Sequence, residues 1–139
     1  MRIAAGAYVA ALVTLCAGDG VWLSAMLQTY RRALGNLLAA TPAFAPAALF
    51  YLLYAAGVVT LVVLPGVTAR RWGLVAARGG LFGLVAYGTY DLTNQATLRD
   101  WPVWLTVLEM AWGTVLTAVA ATLAHAIASR LARREARPA

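Results

Sequence analysis

Four apolar stretches, each close to the roughly 20 residues that a helix needs to cross about 30 Å of hydrocarbon, constrain this 139-residue chain more than any other feature. They run over residues 3–27, 43–67, 79–97 and 101–128. A segment that crosses lipid must satisfy its own backbone hydrogen bonds, and four strands cannot close a barrel. The expected fold is therefore all-α, a polytopic four-transmembrane-helix bundle forming one domain. Composition agrees: 63% hydrophobic residues, 12% charged residues and a mean hydropathy of +0.75 exclude an ordinary water-soluble domain, a disordered tail and a collagen-like repeat. Cys16 is the sole cysteine, so no disulfide can form within the chain, and it reads as a small apolar packing residue.

The breaks between spans carry their own signals. Residues 28–41, with Arg31, Arg32, Gly35 and Asn36, read as a loop, followed by Pro42 and Pro46 near the start of the second span. Pro65-Gly66 closes that span. Asp100-Trp101-Pro102 opens the fourth, with Asp100 as the expected N-cap. All 11 basic residues are arginines, against 5 acids. Placing both termini in the cytoplasm puts eight arginines inside (Arg2, Arg70, Arg71, Arg78, Arg130, Arg133, Arg134, Arg137) and three outside (Arg31, Arg32, Arg99). That asymmetry predicts cytoplasmic N and C termini and a basic cytoplasmic tail over 129–139. It also explains the net charge of +6 without a nucleic-acid partner. Residues 1–27 are too long an apolar run for a signal peptide, contain an acid and lack a small-x-small cleavage pattern, so they are expected to stay as a span.

Asp19, Asp91 and Glu109 fall inside the first, third and fourth spans. Each would cost about 2.5–3.5 kcal/mol facing lipid, so all three should turn inward, in one layer on the outer side of the midplane. No arginine lies inside any of these spans, and Arg99, just beyond the end of the third, is the nearest counter-ion by sequence. Hydrogen-bond donors recur at helical spacing. Gly79, Gly83, Tyr87 and Asp91 form one stripe, flanked by Tyr90 and Asn94; Tyr51 and Tyr54 share a face; Thr106, Glu109, Gly113 and Thr117 form another stripe. The small end of the first stripe invites a close helix neighbour and offers a seam for a homodimer. Asp19-x-x-Trp22 and Glu109-x-x-Trp112 repeat an acid and an indole one turn apart, a faint sign of two related halves.

The run from Tyr87 to Asn94 (YGTYDLTN), followed by Ala96-Thr97-Leu98 and Trp101-Pro102, resembles the hallmark of a bacterial family, domain of unknown function 2177. Asp19-x-x-Trp22-Leu23 with Tyr30, Phe50-Tyr51-x-x-Tyr54 with Gly57 and Pro65, and Trp112-Gly113-Thr114 extend the likeness over most of the chain. Glu109 stands where Asp is expected in much of that family. The resemblance implies a small integral inner-membrane protein of four helices and no particular activity.

The residues and the resemblance lead to one expectation: a multi-pass bacterial inner-membrane protein that binds or transports a proton, cation or small amphipathic ligand. The ligand would sit in a pocket in the periplasmic half, formed by Asp19, Trp22, Tyr51, Tyr54, Tyr87, Tyr90, Asp91, Asn94, Glu109 and Trp112. A membrane enzyme or accessory subunit in lipid modification, and a purely structural subunit, are the alternatives. No catalytic set, metal site or cofactor is expected: His125 has no second histidine and reads as a packing or interfacial residue. Membrane lipids are the expected partners.

Overall fold

The computed structural model describes residues 1–69 and 71–136, without the side chains of residues 68 and 69. Arg70 and Arg137, both counted above among the cytoplasmic arginines, lie outside the described residues. Helix dominates: α1 spans Arg2–Leu34, a 3-10 turn Gly35–Leu37, α2 Phe44–Val58, α3 Leu64–Ala69, α4 Trp72–Thr97 and α5 Val103–Glu135. A π turn over Val59–Val63 joins α2 to α3, making one nearly continuous rod. Its cause is local. Pro65 has no N–H for the carbonyl four residues earlier, and the helix rewinds just upstream of it.

The element boundaries correct several expectations. α1 does not stop at residue 27; it runs through Arg31 and Arg32, whose charges suit a helix C-terminus, and ends where Gly35 takes a positive φ of 49°. Nothing before Gly35 in residues 28–34 breaks a helix, so Gln28, Arg31 and Arg32 mark the exposed side of its last turns and not a loop. α4 starts at Trp72, seven residues before the expected span, and α5 continues into the basic tail as far as Glu135. Asp100 is not the N-cap of α5. It sits at φ 59° in the turn after α4, and Pro102 occupies the cap position without a side-chain hydrogen bond.

Among the described residues, three helices are long and apolar enough to cross a membrane: Arg2–Leu37, Phe44–Val67 and Val103–Glu135. α4 has the length, at 26 residues, but its glycines, threonines and Asp91 dilute its hydropathy. Outward-facing positions are apolar all the same, among them Val9, Val13, Leu53, Leu61, Leu81, Val85 and Val115. Cys16 is also exposed, on that outer face and not in the packed interior expected of it, because the inward positions beside it go to Leu15 and Asp19.

α5 is the hub, packing along α4 and α1 and touching the π turn and α3, while α2 lies against α1. The shared core is built from small residues, including Ala7, Ala11, Ala55, Ala120, Ala121 and Ala124, all fully buried. Small side chains let backbones approach, which is how helices gain contact where lipid removes the hydrophobic drive between them. At the α4–α5 seam a Cβ on Gly83 would stand 2.1 Å from the carbonyl oxygen of Gly113, and one on Gly79 2.8 Å from the Ala121 methyl. The glycine stripe of α4 thus finds its close neighbour in α5 of the same chain. That face is filled and cannot serve as the homodimer seam suggested by its composition.

Candidate functional site

α1 and α5 run antiparallel and exchange their acids and indoles. The Trp112 Nε1–H donates to Asp19 Oδ1 at 2.8 Å, and the Trp22 Nε1–H donates to Glu109 Oε1 at 3.1 Å. Between these bonds the two indoles stack, centroids 4.3 Å apart and planes 6° from parallel. The repeated acid-x-x-Trp signature therefore has a structural counterpart: each tryptophan serves the acid of the other helix.

Both acids receive further donors. Asp19, 6% exposed, accepts the Tyr51 hydroxyl at 3.0 Å and the Tyr87 hydroxyl at 3.3 Å, so one carboxylate on α1 ties together α2, α4 and α5. Glu109 accepts the Tyr30 hydroxyl, and the Trp22 N–H also lies 2.8 Å from that hydroxyl oxygen. Tyr87 reaches Asp19 because Gly113 has no side chain: a Cβ there would fall 2.2 Å from the Tyr87 ring. Tyr30 was missed as a site residue because residues 28–41 read as a loop. The signal was available, since 22, 26 and 30 share a helical face once α1 is extended.

Asp91 is treated differently by the fold. It is fully buried, and neither carboxylate oxygen has a hydrogen-bond partner among the described residues. It lines a chamber of about 380 Å³ together with Asp19, Glu109, Tyr51, Tyr87 and Tyr90. Trp22, Leu23, Phe50 and Ala86 complete the lining, which is mostly apolar and, among the described residues, contains no basic side chain. Arg99, the nearest cation by sequence, is exposed in the turn after α4. Of the described residues, no three acidic, histidine or cysteine side chains converge closely enough to share a metal ion.

The three acids and most of the expected aromatic residues therefore meet at one place. Tyr54 does not: its hydroxyl pairs with Thr117 Oγ1 at 2.8 Å, deeper between α2 and α5. Asn94 is half-buried and does not line the chamber. Trp112 reaches it only through Asp19 and the stacked Trp22. Tyr90 lies at the mouth, 63% exposed, its ring edge-on to Trp101. Leu23 and Phe50 line the chamber without having been singled out as ligand contacts.

At the far end of the bundle His125 is fully buried, edge-on to Trp72 at 4.7 Å between centroids and 3.4 Å from Ser129 Oγ.

A protein-family model, that of domain of unknown function 2177, described as a predicted membrane protein, matches residues 4–126. The chain belongs to this family. The match takes in every residue of the chamber, both halves of the acid–indole exchange and the glycine seam. No curated protein and no solved structure matches this member of the family.

Proposed function

We propose that this family member is a membrane binding protein whose acidic chamber takes up positive charge, a proton or a cationic ligand, at Asp91. One observation carries the reading: of three carboxylates around one cavity, two are furnished with donors and the third is buried with none. A buried carboxylate without partners is unfavourable unless it is neutralised by a proton or matched by a cation. Structural use of the acids accounts for Asp19 and Glu109, which hold helices together; it does not account for Asp91. Acid–base catalysis on a lipid has less support, because Tyr30, Tyr51 and Tyr87 are already donating to carboxylates.

In this reading α4 is the fourth span, its polar residues covered by α5. The termini are cytoplasmic and the chamber lies in the periplasmic half of a bacterial inner membrane, in line with the arginine asymmetry. Transport would need a path beyond the chamber; binding needs only the chamber.

Infrared spectra of the purified protein across a pH series test this. The expected result is a protonated-carboxyl band that titrates and is lost in Asp91→Asn but retained in Glu135→Gln. A titration unchanged by Asp91→Asn would overturn the reading.

A further inference from the structure

The chamber's walls narrow the kind of cation it would hold. A hard metal ion takes six or more oxygen ligands at short range, and among the described residues the acids line one cavity without closing to within reach of a single ion. Trp22, Phe50, Tyr51 and Tyr87 share that lining, aromatic side chains of the kind that attract a cation through the ring quadrupole and cover hydrocarbon equally well. A volume of about 380 Å³ falls at the small end of organic-ligand pockets.

Position adds the second constraint. Phe50, Asp91 and Glu109 each lie about six residues, or about 9 Å, from the same end of the bundle, where α2 and α5 begin and α4 ends. The mouth is flanked by Leu23, Phe50 and Tyr90, which are 48%, 44% and 63% exposed. Two of these are hydrocarbon side chains on the outer face. An opening rimmed in this way, at interfacial depth, is reached from the lipid as readily as from water.

Resting on the charge-binding reading above, we propose that the ligand is an amphipathic amine: a single ammonium group seated at Asp91, with its apolar body against the aromatic wall and leaving between Leu23 and Phe50. A zwitterionic phospholipid fits less well, because its phosphate would bring a negative charge into a cavity whose described lining holds three acids and no basic side chain.

The test uses the full chain in nonionic detergent with decylamine as the probe, and decanol and decanoate as neutral and anionic probes of equal length. Decylamine is expected to displace the Asp91 proton, moving the carboxyl band's titration to lower pH, and to raise the melting temperature; decanol and decanoate should do neither. Asp91→Asn should weaken the decylamine response roughly thirtyfold or more, the order expected for deleting one partner of a buried charge pair. The wild-type band shift stands as a readout even if that variant fails to fold. A titrating Asp91 band indifferent to decylamine would overturn the amine assignment while leaving charge binding intact, whereas no titrating band at all would remove both. An equal shift in nanodiscs containing phosphatidylethanolamine, absent with phosphatidylglycerol alone, would overturn the single-chain ligand in favour of a lipid headgroup.

Discussion

Replacing a buried carboxylate always removes a charge, but what else it removes depends on its neighbours. Asp19 receives three donors from three other helices, so Asp19→Leu would strand the Tyr51 and Tyr87 hydroxyls and the Trp112 N–H. Stranding these three part-buried donors should cost the variant about 1–3 kcal/mol or more of stability in detergent, measured by thermal or SDS-induced unfolding. Asp91→Leu strands nothing and removes an uncompensated group, so it should leave stability unchanged or raise it. Equal losses in the two variants would contradict the division between them. The Trp112–Asp19 bond can be isolated by a double-mutant cycle: Trp112→Phe loses the stack on Trp22 in either background, but once Asp19 is Leu it should cost less than in the parent, by a coupling of about 0.5–3 kcal/mol.

At the scale of helices, glycine decides how closely α4 and α5 approach. Gly83 faces a backbone carbonyl that cannot rotate away, so Gly83→Ala must push the helices apart, at an expected cost of about 1–3 kcal/mol. Gly20, on α1, has no atom within 4 Å of its missing Cβ. Gly20→Ala should therefore stabilise by up to about 1 kcal/mol through helix propensity alone. Unfolding of the two variants in the same detergent checks the contrast. The periodicity of Gly79, Gly83, Tyr87 and Asp91 made the inward face of α4 legible, and the acids announced themselves by their cost in lipid. The partner of that glycine face was not legible, because spacing within one helix says nothing about which neighbour fills it. Tyr54 shows the same limit: it shares a face with Tyr51, but a three-residue step along α2 carries it below Asp19 to the depth of Thr117. Nor could the sequence separate Asp91 from Asp19. Both are aspartates in apolar helices, and only the donors brought by other helices distinguish them.

Over the whole molecule, the acid–indole exchange fixes α1 and α5 as antiparallel, which brings the start of α1 and the end of α5 to one end of the bundle: Leu131 and Ile127 pack over Gly6. The chamber lies toward the opposite end, near the Gly35–Leu37 turn and the turn holding Asp100. If the arginine asymmetry orients the bundle, those two turns face the periplasm and Glu135 the cytoplasm. Single cysteines placed at Asn36, Asp100 and Glu135 in a Cys16→Ser background should then divide cleanly. A membrane-impermeant maleimide should label the first two in intact spheroplasts and the third only after permeabilisation. Labelling of Asn36 and Glu135 from the same side would mean that α1 and α5 do not both cross, and the exposed apolar faces of Val9, Val13 and Val115 would then need a protein partner instead of lipid. Cys16 itself, on the outer face of α1 at membrane depth, should resist the reagent in the parent protein from either side, since a maleimide needs water and a thiolate that lipid does not supply.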